Sequence, residues 1–166
     1  MLGQLARLGW IGWLICALGA VLLAVAANLY ILLARPFGAT AGIPIDQTGP
    51  VGALIGAIVP YVWLVLFAGM GSSFWLLARA DPRLGGRAWL VLALVLLCVA
   101  YPVYTGNLNQ PLVALGGNAV VVLVAAIAAW RLWPVTRLGA ALLLPVIAWV
   151  CLASVALLAL ITGQRF

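Results

Sequence analysis

The chain has 166 residues, of which 68% are hydrophobic and 6% charged, with a formal net charge of +6. Soluble domains carry about 25% charged residues, so this composition excludes a soluble globular domain and indicates an integral membrane protein. The basic balance comes from eight Arg and no Lys, with no soluble patch of interleaved aromatics, so it describes membrane topology and anionic lipid rather than nucleic-acid binding.

Five apolar runs of near-spanning length follow in order, at residues 9–34, 51–77, 88–104, 112–132 and 138–161. A membrane helix needs about 20 predominantly apolar residues, and the third run is the shortest. The first run is much longer than the roughly 7–15 residues of a signal-peptide core and is followed by a polar loop, so it is read as a retained helix. Within it Gly12, Cys16, Ala20, Ala24 and Asn28 recur every four residues. Such a stripe of small side chains lets helix backbones approach closely, and its terminal amide is a candidate interhelical donor. Residues 35–50 form the one long loop, rich in Gly and Pro. Gly52 and Gly56 open the second run as a GxxxG pair, suited to packing within a bundle or to dimerisation. The remaining connections are short turns, and short turns make sequential helices antiparallel neighbours. The expected fold is all-α, a five-helix transmembrane bundle forming a single domain over residues 1–166.

Orientation follows from Arg7, Arg79, Arg83, Arg87, Arg131 and Arg137, which five spans place on one side, against Arg35 and Arg165 on the other. The positive-inside rule then puts the N-terminus in the cytoplasm and the C-terminus outside, as in a bacterial inner membrane. Trp10, Trp13, Trp75, Trp89, Trp130 and Trp133 fall near the cytoplasmic ends of the runs, where an interfacial aromatic belt belongs. Trp63 and Trp149 lie about 17 Å into their helices, near the bilayer midplane. Two such rings at one depth on different helices are suited to lining a flat apolar cavity.

No His, Glu or Lys occurs, and the only carboxylate side chains are Asp46 and Asp81. Paired carboxylates, a Ser-His arrangement and metal-ligand clusters are therefore missing, so neither an enzyme nor a metal site is expected. Cys16, Cys98 and Cys151 are isolated within the spans and read as small packing residues.

Two stretches carry a more specific pattern: Trp63 with Leu66 and Phe67 in the second run, and Pro145, Trp149 and Ala153 in the fifth. The chain resembles the tryptophan-rich sensory protein family, also called the translocator protein or TspO/MBR family. That resemblance implies a five-helix membrane protein binding flat apolar ligands such as porphyrins, haem and sterols between its helices, with the two tryptophans and the alanine facing the ligand. This chain departs from the family pattern in three places. Its loop lacks the family's Trp, residues 93–100 are apolar where the family has amides, and Ala156-Leu157 replaces a Leu-Asn pair. A pocket lined by Trp63, Phe67, Met70, Pro145, Trp149 and Ala153 is thus drier than the family norm and suits a porphyrin, sterol-like lipid or carotenoid, none of them held covalently. Gln47 and Arg35 are the nearest candidates to meet ligand carboxylates. A sensor or carrier is the implied role. The alternatives are a non-catalytic accessory subunit, packing as a homodimer or within a larger membrane complex, and a transporter, which the lack of mid-membrane charge weakens.

Overall fold

The computed structural model describes residues 8–34, 50–81, 85–108 and 111–162. Among the described residues six helices follow one another: α1 (Gly9–Ala34), α2 (Pro50–Ala80), α3 (Gly86–Leu108), α4 (Pro111–Leu132), α5 (Arg137–Ala141) and α6 (Leu144–Ile161). There is no strand among the described residues. The last two helices together make the fifth span, so the fold is an all-α bundle. Among the described residues four stretches are long and apolar enough to cross a membrane: Gly9–Tyr30, Ile58–Ala80, Pro111–Leu132 and Arg137–Ala159. The apolar part of α3, Gly86–Pro102, is shorter. Yet α3 itself runs 23 residues, a length of roughly 35 Å at 1.5 Å per residue.

The helices pack around one core. α1 packs on α2 and α3, α2 on α3, α3 on α4, and α4 on α5 and α6, while α2 meets the fifth span through α5. Side chains turned inward include Met70 and Leu77 of α2, Val91 and Leu94 of α3, Val121 and Ala125 of α4, and Leu143 and Val146 of the fifth span. Equally apolar Leu18, Leu22, Leu96, Leu123 and Leu152 stand exposed on the outside, as lipid-facing residues do. Lipid offers no hydrophobic penalty for that exposure, so close packing and hydrogen bonds hold such a bundle together.

Close packing is most severe between α1 and α2. A Cβ added at Gly71 would collide with the backbone carbonyl of Cys16 and lie 2.8 Å from Ala17 Cα. Gly12, Ala17 and Ala24 are buried on the facing side of α1. Asn28, at the end of the small-residue stripe, donates from Nδ2 to Ala24 O at 2.8 Å within its own helix rather than across to a neighbour.

Three hydroxyls clasp the spans instead. Trp13 Nε1 donates to Ser72 Oγ at 2.8 Å, and Ser72 in turn donates to Ala68 O. Buried Ser73 donates to Gly139 O at 2.8 Å, tying α2 to α5. Asn118, 3% exposed, donates from Nδ2 to Ser154 Oγ at 3.0 Å, joining α4 to α6, while Ser154 donates to Val150 O. An interhelical bond of this kind in a membrane contributes on the order of 1 kcal/mol. Asn118→Leu is accordingly expected to lower unfolding stability in detergent by about 1 kcal/mol, partly offset by the added apolar contact. A variant at least as stable as the parent would show that the clasp contributes nothing.

One end of the bundle collects the arginines. Arg87 donates from Nε to Arg131 O at 3.1 Å and pairs with Asp81 at 3.4 Å. Both partners are partly exposed, which makes this pair a minor source of stability. Trp10, Trp89 and Trp130 project outward near the same end, at 69%, 70% and 72% exposure, as interfacial anchors do. Trp75 differs from the belt expected of it, being only 8% exposed. Its ring is enclosed at the α1–α2 seam instead of reaching the lipid interface.

Candidate functional site

The site originates in a proline. Pro145 has no N–H to offer the carbonyl of residue 141, so the fifth span cannot run as one regular helix. Thr136 caps the start of α5, its hydroxyl accepting from Gly139 N at 3.2 Å. The helix ends at Ala141, and the chain continues through Leu142 in a right-handed conformation. Tighter bonds take over at the break: Leu143 N donates to Ala140 O at 3.1 Å, and Val146 N to Leu143 O at 3.2 Å. Such three-residue spacing is the usual local substitute where a regular helical bond is lost.

α2 lies tightly against this break. A Cβ at Gly69 would sit 3.3 Å from Leu142 O, and one turn further on Ser73 bonds Gly139. Beyond the break, α2 and α6 flank a groove of about 530 Å³. α2 supplies Tyr61, Val62, Val65 and Leu66, and α6 supplies Pro145, Ala148, Trp149 and Leu152. The Tyr61 hydroxyl and the Trp149 indole N–H are the polar side-chain groups in this wall. The rest is aliphatic or ring surface, and the groove has no ionisable carboxylate or amine. Its volume falls in the range of about 300–1,000 Å³ typical of small-molecule sites.

Pro145 and Trp149 therefore reach the groove, together with Leu66 from the second-helix motif. Trp63 does not line it: the ring is half-buried and lies 5.8 Å from Phe67, tilted by 38°. Phe67 and Met70 are 3% and 0% exposed and belong to the packed core. Ala153 is exposed outside the groove lining. Gln47 and Arg35 lie outside the described residues. Tyr61, Val62, Val65, Ala148 and Leu152 were not singled out in the sequence. A helical signal was present, because residues 145, 148, 149 and 152 share one face, as do 61, 62, 65 and 66. Extending Pro145–Trp149 and Leu66 along their own faces would have found them.

The TspO/MBR family model matches residues 46–162, more than two thirds of the chain, and that stretch contains both walls of the groove. The chain belongs to the TspO/MBR family. No curated protein and no solved structure matches it. Within this TspO/MBR protein, α1 lies outside the matched stretch, yet it is joined to the rest at the tightest backbone contact, Gly71 against Cys16 and Ala17. Membership and the apolar spans together make the chain an integral membrane protein of the sensor or transporter type. The groove's chemistry is that of a binding site: it offers a flat ring surface, two hydrogen-bond donors and no acid–base pair. Among the described residues no group of His, Cys, Asp or Glu is placed to hold a metal.

Proposed function

We propose that the protein binds a flat apolar ligand in the α2–α6 groove, acting as a sensor or carrier for a tetrapyrrole, sterol-like lipid or carotenoid. The observation carrying this reading is that Pro145 and Trp149 of the fifth-span motif and Leu66 of the second-helix motif, with its helical neighbours, line one groove of about 530 Å³. An indole face stacks on a planar ring, and the aliphatic opposite wall excludes water from the other side. The ligand is held by stacking and apolar contact, without a covalent link. Its lining pairs no acid with a base, so the reading is binding rather than catalysis.

The test is a fluorescence titration with protoporphyrin. Saturable tryptophan quenching is expected, and Trp149→Phe should weaken binding by about fivefold to tenfold, the loss of indole stacking and its N–H contact. Trp130→Phe, at an exposed ring outside the groove, should change affinity less than twofold. Equal effects of the two variants would reduce the signal to partitioning into the bundle or detergent.

A second reading, a non-catalytic subunit of a larger membrane complex or homodimer, is supported by the close packing of Phe67 and Met70, which fills space that a deeper pocket would need. A protein that quenches with no chromophore and co-purifies with partners would favour it.

The proposed orientation puts the N-terminus and the arginine-rich end in the cytoplasm and the C-terminus outside, in a bacterial inner membrane. The clustering of Arg79, Asp81, Arg87 and Arg131 at one end of the helices supports it. Reporter fusions at Arg83 and after Phe166 should label opposite faces, and same-side labelling would refute the five-span topology.

A further inference from the structure

Formal charge is kept away from the walls of the α2–α6 groove. None of its eight described lining residues is charged. Arg79, the one charged residue of α2, follows Leu66 by 13 residues and Tyr61 by 18, roughly 20 and 27 Å at the helical rise. α6 carries no charged residue, and Arg137 opens α5 on the far side of the break.

Hydrogen-bonding capacity is sparse as well, and it is placed apart from the arginines. Tyr61 carries the only hydroxyl among the described lining residues, and it is the groove residue of α2 farthest from Arg79. Tyr61, Val65 and Leu152 are 70%, 70% and 61% exposed. In a membrane-spanning bundle such exposure opens the groove sideways to lipid, so its ligand arrives from the bilayer.

An ionised carboxylate in this groove would lose its hydration and meet no cation, which is strongly unfavourable inside a membrane. A hydroxyl oxygen needs only a hydrogen bond. We propose, resting on the reading of this groove as the ligand site, that its ligand is uncharged, a flat polyene or ring lipid bearing a single hydroxyl. The Tyr61 hydroxyl bonds that oxygen while Trp149 stacks on the carbon framework. Tyr61 is then the specificity-determining residue that fixes which way round the ligand lies. The missing cation discriminates against a dicarboxylic tetrapyrrole in its ionised form, because each of its carboxylates requires a partner such as arginine.

Tryptophan-quenching titrations in neutral phosphatidylcholine nanodiscs test the assignment, with retinol and retinoic acid as probes that share one polyene and differ at the polar end. In mildly alkaline buffer, retinol should bind about tenfold tighter than retinoate. Tyr61→Phe should weaken retinol binding severalfold. Tyr61→Arg, at the same exposed position, should turn the preference toward retinoate by supplying the missing cation. Protoporphyrin, titrated alongside, reports on the groove itself. Saturable protoporphyrin binding that Trp149→Phe weakens, with retinol bound no tighter than retinoate, would overturn the uncharged ligand and leave the groove as a ligand site. If no probe binds saturably, or if Trp149→Phe weakens none of them, the groove reading falls and this assignment with it. Retinol affinity unchanged in Tyr61→Phe would overturn the role given to Tyr61.

Discussion

Gly71→Ala is expected to destabilise the bundle by about 2–3 kcal/mol, although alanine is the better helix former. The added methyl would occupy space already taken by backbone, the Cys16 carbonyl and Ala17 Cα. Backbone atoms in a helix cannot rotate away as a side-chain end can, so relief requires α1 and α2 to move apart. That separation would also strain the Trp13–Ser72 hydrogen bond, located on the same seam. Gly116→Ala provides the opposite sign in the same chain, because a Cβ there meets nothing within 4 Å. Its expected effect is neutral to a gain of up to about 1 kcal/mol from helix propensity. Thermal or denaturant unfolding in detergent compares the two. A Gly71→Ala protein as stable as Gly116→Ala would mean that α1 is loosely attached and the α1–α2 contact is not a determinant of the fold.

Ala148→Phe should abolish chromophore binding, a loss of at least about tenfold, while leaving unfolding stability within about 0.5 kcal/mol of the parent. Ala148 is exposed and lines the α2–α6 groove beside Trp149, so a phenyl ring there enters open volume rather than packed atoms. Overpacking costs arise only where space is already filled. Ala153→Phe, one turn beyond Trp149 and exposed outside the groove lining, is expected to change affinity less than twofold. The comparison locates the ligand along α6. Loss of binding from Ala153→Phe with none from Ala148→Phe would move the ligand toward the far end of α6 and away from Tyr61 and Val62. Unchanged binding in both variants would remove the groove from the mechanism altogether.

Several elements were legible in the chain because their signals are local. An apolar run of spanning length has to become a helix in lipid, where each unpaired backbone group is costly. Gly- and Pro-rich stretches then separate one span from the next. The run at residues 9–34 is the helix Gly9–Ala34. Arginines spaced along the chain meet at one end simply because antiparallel spans alternate direction, as the Arg87 contacts with Asp81 and Arg131 display. The family motifs were legible for the same reason, each lying within a few turns of a single helix. The break between α5 and α6 was less so. The run at 138–161 was read as one span, because whether a proline such as Pro145 bends, breaks or merely opens a helix depends on what packs against the freed carbonyls, here α2 at Gly69.

What each face of a helix meets was decided by tertiary structure. In water, an amphipathic stripe reveals the buried face, but in lipid the inward and outward faces are both apolar and hydropathy no longer distinguishes them. Leu143 in the core and Leu152 at the groove are the same residue, and only packing assigns them. Depth could be counted from sequence while azimuth could not, so Trp63 and Trp149 share a level in the membrane and yet Trp149 lines the groove while Trp63 stacks near Phe67. Trp75 has the position of an interfacial anchor, yet it lies one turn from Gly71, where α1 approaches closely, and it is buried beside Arg79. The sequence by itself determined the spans, their order and the charged end, because those depend on the chain's own backbone and solvent preferences. The groove and the enclosed tryptophan arise from contacts between helices far apart in sequence, where a missing Cβ or a proline break sets which surfaces touch.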